Sequence, residues 1–211
     1  MNLEDFYVGA DKATELGDES LEVSLLRTEL GEISLPSKLV GFSDPAFIGP
    51  ESLLIETPAD KARVVVTEAD VSDEQDGSHY RVAYLSLLFS DAKPVEVLPA
   101  VARDPQSGDI FNEPNFIVDA GLGSFFDANL TELDAKGVNR LFDDWCDAVD
   151  AGVNQNSTLV TYPEHGADTL AITSSGWGDG VYPVLQTLGS NGEILGLHLD
   201  YLVVGASKES E

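Results

Sequence analysis

The chain has 211 residues, with 11 Lys and Arg against 38 Asp and Glu, which gives a formal net charge of −27. This length corresponds to one domain, and a hydrophobic content of 43% is sufficient for a buried core. A surface this acidic repels phosphate backbones and anionic membranes, so we expect neither nucleic-acid binding nor membrane attachment. A basic protein or a metal cation is attracted instead.

The cysteine content and the first residues indicate a cytoplasmic protein. Cys146 is the single cysteine, so an internal disulfide is excluded. The first six residues carry two acids, whereas a secretory signal begins with basic residues. No apolar run approaches the ~20 residues that a membrane-spanning helix needs. We therefore expect the protein to stay in a reducing cytoplasm.

Four segments in the first two thirds of the chain read as strands. Residues 62–67 end in four β-branched residues and predict a strand. In the segment His79–Phe89 both alternating sets of residues are apolar, which predicts a central strand covered on both faces. Residues 94–102 and 116–121 predict two further strands, the second of them short and buried.

The segment from Leu130 to Gly152 has apolar residues at helical spacing. Thr131 and Asp134 resemble a capping box at its start, and Gly152 is a plausible stop at its end. The pattern predicts one long helix, about residues 131–151, with one face packed on a sheet.

The C-terminal part of the chain predicts a β-hairpin. The segments Val181–Leu188 and Glu193–Val204 flank Asn191-Gly192, which is the strongest short hairpin signal. A type I′ turn centred on these two residues would place His198 opposite Leu185.

These elements together predict an α+β fold. It consists of a mainly antiparallel β-sheet, the long packed helix and the C-terminal hairpin. Residues 1–30 are rich in acids with weak periodicity, which predicts a loosely attached leader. Residues 31–211 then form a single domain.

The most unusual stretch of the sequence is residues 174–183, in which three glycines alternate with a tryptophan and an aspartate. The glycines permit backbone conformations denied to other residues, and they isolate Trp177 and Asp179 on a flexible segment. Trp177 is then a candidate stacking surface, Asp179 a candidate cation ligand or hydrogen-bond acceptor, and Tyr182 a neighbouring binding residue. The alternative is a tight turn in which the tryptophan fills the core.

Several aspartates follow apolar strands, as carboxylates that bind Mg²⁺ or Ca²⁺ often do. If Asp119, Asp127, Asp179 and Asp200 converge, their charges require a cation or raised pKa values. His198, two residues before Asp200, is then a candidate general base, so Asp119, Asp179, His198 and Asp200 are candidate catalytic residues. The alternative is that Asp119 and Asp127 cap backbone N–H groups and that His198 is structural.

Acidic residues also crowd the C-terminal half of the predicted helix. Asp143, Asp144, Asp147 and Asp150 lie where the helix dipole already presents negative charge, and only Arg140 is spaced to offset two of them. Such an arrangement costs stability, and a local rule broken without compensation often marks function. The helix acids are therefore a candidate patch for a basic partner, with a simple solvated face as the alternative.

Several short runs occur in one order along residues 31–204. The longest is GWGDGVYPV at residues 176–184; the others lie at residues 31–33, 36–37, 44–45, 81–83, 118–121, 126–128, 191–194 and 199–201. In these runs the chain resembles the bacterial family called domain of unknown function 4241. The family name implies no activity and no catalytic residues. The resemblance implies that the following residues share one surface: Asp44, Asp119, Asp127, Trp177, Asp179 and Asp200.

Two functions from different classes are consistent with these patterns. The first is a non-enzymatic binding module of immunity or inhibitor type, whose acidic surface meets a basic protein. Its candidate binding residues are Asp44, Asp143, Asp144, Asp147, Trp177, Asp179 and Tyr182. The alternative is a hydrolase that depends on Mg²⁺ or Ca²⁺ and uses the aspartate cluster. The sequence does not determine the oligomeric state.

Overall fold

The computed structural model describes residues 12–13, 23–133, 137, 140, 143, 146–147, 157–162 and 167–204. Within this part of the chain there are fifteen strands, and every pairing between them is antiparallel. In chain order they are β1 (Lys12–Ala13), β2 (Val23–Ser34), β3 (Leu39–Ser43), β4 (Leu54–Glu56), β5 (Lys61–Asp70), β6 (Tyr80–Leu88), β7 (Glu96–Pro99), β8 (Ala102–Arg103), β9 (Ile110–Phe111), β10 (Asn115–Val118), β11 (Leu122–Asp127), β12 (Ser157–Tyr162), β13 (Ala167–Ser174), β14 (Gly180–Leu188) and β15 (Ile194–Asp200).

The strands form two sheets that stack as a sandwich. The first sheet has the order β1-β2-β5-β6-β15-β14-β10, with β7 also paired to β14, and the second has the order β12-β13-β11-β3-β4-β8-β9. One buried cluster contains Leu85 and Leu199 of the first sheet together with Phe42, Phe125 and Ala171 of the second. Residues of both sheets therefore fill one core, as in other sandwiches.

The predicted central strand is confirmed. β6 pairs with β5 on one side and with β15 on the other, and residues 82–88 are all buried. The strand predicted at residues 62–67 is confirmed as part of β5. The strand predicted over residues 94–102 is instead divided between β7 and β8, because the chain crosses there from the first sheet to the second.

The long packed helix predicted for residues 131–151 is wrong, and so is the α+β class. No helix of seven or more residues occurs in the described part of the chain, which is mostly antiparallel sheet as expected. A 3₁₀ helix, Ala128–Glu132, ends where Leu133 adopts an extended conformation (φ −62°, ψ 137°). Thr131 donates a hydrogen bond to the Ala128 carbonyl, and Asp134, the other residue of the predicted capping box, lies outside the described residues.

The physical reason for this difference is that the spacing of Leu130 and Leu133 also suits a single 3₁₀ turn. These two leucines pack with Phe126 in a small apolar cluster. Phe126 lies on the opposite face of β11 from Phe125, which belongs to the main core. Leu130 and Leu133 thus cover the outer face of the second sheet, and they do not form the first turn of a long helix.

The predicted C-terminal hairpin is present, with a different turn. His198 lies opposite Leu185, as the sequence predicts. The Gly192 amide donates to the Gly189 carbonyl at 2.9 Å, so Ser190 and Asn191 are the central residues of the turn. Gly192 follows with a φ of 79°, and the register shifts beside Leu188, so the type I′ turn is replaced by a turn and a bulge.

Strand β2 begins at Val23 and pairs with β5 as far as Ser34. Residues 23–30, which belong to the stretch predicted as a leader, therefore lie in the first sheet. Among the residues that the structure describes, no helix is long and apolar enough to cross a membrane.

Candidate functional site

The glycine-rich loop between β13 and β14 is pinned to the body of the protein. Gly176 has a φ of 55°, and a Cβ atom there would lie 2.5 Å from the Val82 carbonyl oxygen, so only glycine fits. The Ser175 hydroxyl and the Tyr182 phenol both donate to the Gly178 carbonyl, at 2.6 and 2.9 Å. These contacts make the loop an ordered part of the fold.

Trp177 lies on the surface of this loop and does not fill the core. Its side chain is 50% exposed, and its Nε1 donates to the Leu202 carbonyl at 3.2 Å. The Arg81 guanidinium lies 4.4 Å from the centre of the indole, and its Nη1 donates to the Gly176 carbonyl. Leu202 has a φ of 55°, a conformation that leucine rarely adopts. The indole is therefore held between a cation and a strained backbone.

A shallow groove of about 360 Å³ runs beside the indole. Its lining includes His79, Arg81, Ser174, Ser175 and Trp177. Two serines, a histidine and an arginine are thus among the residues that border one concave surface, and we call it the Arg81 groove.

Three of the predicted aspartates meet at the loop between β10 and β11. The fully buried Asp44 carboxylate accepts hydrogen bonds from the Asp119 and Ala120 amides, at 3.0 and 2.7 Å, and from the Ala46 amide at 2.9 Å. Asp179 accepts from the Gly121 amide at 3.2 Å. The carboxylates of Asp44 and Asp179 therefore hold the main chain of this loop, and the side chain of Asp119 is exposed.

Asp127 lies at the other end of β11, where it satisfies backbone groups. It accepts from the Asn129 amide at 3.0 Å, which caps the 3₁₀ helix, and from the Ser37 amide and hydroxyl at 3.1 and 2.7 Å. Asp127 lies five residues along the strand from Leu122, which follows the β10–β11 loop, so a rise of about 3.4 Å per residue separates Asp127 from that loop by roughly 17 Å. One ion cannot be coordinated from both ends of this strand.

Asp200 is buried and accepts a hydrogen bond from the Leu202 amide at 2.8 Å. In the part of the chain that the structure describes, no group of three or more His, Cys, Asp and Glu side chains is placed to hold a metal ion. Asp44, Asp119, Trp177 and Asp179 do lie on neighbouring loops, whereas Asp127 does not join them. The divalent-metal hydrolase therefore lacks a ligand set among these residues.

His198 is fully buried within the first sheet. Its Nε2 is 3.0 Å from the Thr187 hydroxyl and its Nδ1 is 2.8 Å from the Ser86 hydroxyl, so one ring nitrogen donates and the other accepts. Burial, with a smaller effect of the charge of Arg27, lowers the pKa of His198 to about 3. The ring is therefore neutral, weakly basic and out of contact with solvent.

Tyr182 is an anchor of the glycine-rich loop. Its ring packs with Phe116 and Tyr201, with ring centres 5.9 and 5.4 Å away, inside the sandwich core. Burial and the negative charge of Asp179 raise the pKa of Tyr182, against a lowering effect of the hydrogen bond with Ser175. Its hydroxyl is directed to the loop backbone and not to a ligand.

The sequence did not predict an exposed apolar patch, which consists of Phe47, Ile117 and Val181. Ile117 and Val181 are cross-strand partners in β10 and β14, 65% and 60% exposed, and Phe47 is 54% exposed. Phe47 and Ile117 border a groove of about 420 Å³. We call these three residues the apolar patch. The sequence predicts a short buried strand at residues 116–121, and no local signal distinguishes the outward position of Ile117.

Exposed acidic residues border the apolar patch. Glu51 lines the same groove, Asp119 follows Ile117 by two residues, and Asp179 precedes Val181 by two. Of the four acids in the predicted helix, Asp143 and Asp147 are exposed, and Asp144 and Asp150 lie outside the described residues.

A family model described as "Protein of unknown function (DUF4241)" matches residues 33–199 of the chain. The chain belongs to this family. The match confirms the resemblance of the sequence, and it covers the glycine-rich loop, the Arg81 groove and the apolar patch. No curated protein and no solved structure matches the chain. The family's description states no activity.

Proposed function

We propose that this protein is a non-enzymatic binding module of immunity or inhibitor type whose partner is a basic protein. The observation that carries the proposal is the apolar patch with its acidic border. Exposed apolar patches rimmed by polar residues are typical of protein interfaces, in which the centre supplies affinity and the rim supplies orientation.

The charge of the chain supports a cationic partner. With a formal charge of −27, the protein attracts a cationic partner and raises its rate of association. A second copy of the chain carries the same charge and is repelled. Three acids border the patch, Glu51, Asp119 and Asp179, and each can pair with a Lys or Arg at the rim of a basic partner.

The hydrogen bonds of the buried carboxylates also favour binding over catalysis. Asp44 and Asp127 each accept three hydrogen bonds that fix the main chain, and His198 is closed off from solvent. The proposal includes a cytoplasmic location, because a partner-neutralising protein of this composition needs no disulfide and contains a single cysteine.

The test is affinity capture from an extract of the source cells with the wild type, Ile117→Ser and Val181→Ser. Val95→Ser is the matched control, because Val95 is 56% exposed and lies outside the patch. We expect the wild type and the control to retain a basic protein. The two patch variants should bind it about 5- to 30-fold more weakly, from the loss of ~1–2 kcal/mol of apolar contact.

Two further results complete this test. Retention should weaken as NaCl is raised, because the border charges are screened. Asp143→Asn and Asp147→Asn show whether these two exposed acids contribute separately from the apolar patch. The proposal fails if no basic protein is retained, or if Ile117→Ser and Val181→Ser bind it as well as Val95→Ser does.

A further inference from the structure

Arg81 is an unusual cation in a chain with so many acids. Arg63 contacts the carboxylates of Glu29 and Asp91, as expected on such a surface. Among the described residues, the ion pairs do not include Arg81, whose guanidinium contacts the Gly176 carbonyl and the face of Trp177 instead. The positive charge of Arg81 is therefore kept beside the groove without a carboxylate.

The hydrogen-bond donors of Arg81 are only partly used. A guanidinium carries five N–H donors in a planar fork that matches the oxygens of a carboxylate or phosphate. In the described part of the chain, Nη1 makes the hydrogen bond to Gly176, Nη2 makes none, and Nε is buried without a partner. An unsatisfied buried donor is costly, so the position of this guanidinium is not explained by the stability of the fold alone.

The indole beside Arg81 is anchored by a residue whose backbone is strained. Trp177 remains half exposed although it is the largest side chain of the loop, and it is anchored by the carbonyl of Leu202. Leu202 adopts a left-handed conformation that is strained for leucine. Strain, an unused donor and an exposed aromatic ring thus occur together, as they do at binding sites.

We propose that the Arg81 groove binds a ligand through one carboxylate or phosphate group. Two oxygens of this group pair with the Nη1 and Nη2 edge of Arg81, and His79, Ser174 and Ser175 border the rest of the ligand. The groove, at about 360 Å³, is within the size range of small-ligand sites. Polyanions are repelled by the net charge of −27, so the ligand carries a single anionic group.

This site goes beyond the proposed function, because its ligand has the opposite charge to a basic partner and its residues are not those of the apolar patch. Two kinds of ligand supply such an anionic group: a peptide with its terminal carboxylate, and a molecule with a phosphate group. They are distinguished by separate titrations with the peptide Gly-Gly-Phe, with its C-terminal amide, and with inorganic phosphate.

The experiment follows the Trp177 indole N–H and the Arg81 Nε–H by ¹H–¹⁵N NMR during each titration, against NaCl at matched ionic strength. We expect a saturable shift of both signals with Gly-Gly-Phe, with phosphate or with both, and no such shift with the amide. Arg81→Lys keeps the charge but not the fork, and it should weaken binding at least tenfold. Arg63→Gln, at an arginine that already contacts carboxylates, should bind as the wild type does.

Where Arg81→Lys is too unstable to study, Trp177→Phe provides the comparison, because it removes the indole face but leaves the arginine. It should weaken binding and leave the Arg81 Nε–H as the reporter. The proposal is overturned if neither anion shifts these signals beyond the NaCl control, if the amide binds as well as the free peptide, or if Arg63→Gln weakens binding as much as Arg81→Lys.

Discussion

Replacing His198 by Asn should remove much of the acid sensitivity of the fold. His198 has no solvent exposure, and burial lowers its pKa from 6.5 to about 3. At pH 5 the ring is therefore protonated in the unfolded chain and neutral in the folded one. Because the unfolded state then binds more protons, stability falls as the pH drops below 6.5, and the loss is complete only near pH 3.

The size of this effect follows from the two pKa values. Each pH unit between them corresponds to about 1.4 kcal/mol, so wild type loses about 2 kcal/mol through His198 between pH 7 and pH 5. His198→Asn cannot titrate, and it lacks this loss. The variant is also less stable at pH 7, because the hydroxyl of Ser86 or Thr187 loses its partner, at a cost of about 1–3 kcal/mol.

The assay is therefore the change of unfolding free energy with pH, and not its absolute value. Urea unfolding at pH 7 and pH 5 should give a decrease about 2 kcal/mol larger for wild type than for His198→Asn. In thermal melts this corresponds to a difference of about 4–8 °C. In NMR spectra the ring signals of His198 should stay fixed between pH 8 and pH 5. Equal pH dependence of the two proteins, or a ring that titrates near pH 6.5, would show that His198 is not the source of the acid sensitivity.

Two further predictions concern the packing of Gly41 against Phe126 and the hydrogen bond between Ser72 and Asp70. In Gly41→Ala the new Cβ overlaps the ring of the buried Phe126, so urea unfolding should show a loss of about 1–3 kcal/mol in unfolding free energy. Gly49→Ala is the control, because the nearest atom to its new Cβ is 4.0 Å away, and its stability should be close to that of the wild type. Similar losses in the two variants would contradict this. The hydrogen bond from the Ser72 hydroxyl has the largest effect among those that lower the pKa of Asp70. Because the pKa is lower in the folded state, the ionised carboxylate stabilises the fold above the unfolded pKa, and this stabilisation is lost as the pH falls through the folded pKa. Ser72→Ala should therefore destabilise at pH 7 and less so at pH 3, and a difference that is constant with pH would exclude this cause.

The elements that the sequence predicted well are those specified by local alternation. β6 is apolar on both faces and is central, and the hairpin register follows from the turn signal even though the turn type differs. The helix prediction failed at its start, residues 131–133, because the spacing of Leu130 and Leu133 suits both a helix and a 3₁₀ turn that covers a sheet. The sequence predicts that Asp127 joins a cluster of strand-end aspartates, whereas residues 122–127 form a buried strand that carries Asp127 to the opposite end from Asp119.

In the candidate site, too, local features were predicted from the sequence and contacts between distant residues were not. The sequence alone predicts the family, the sign of the surface charge and a glycine-rich loop that presents Trp177 and Asp179, because composition and glycine content are local properties. It predicts this loop to be flexible, whereas contacts with the body of the protein hold it in place. Three further contacts are seen only in the folded protein: Arg81 stacks on Trp177, Asp44 holds the β10–β11 loop, and Phe47 and Ile117 line one groove. These contacts join residues more than 60 positions apart, and their partners are chosen by sheet pairing and packing, which no short stretch of sequence encodes.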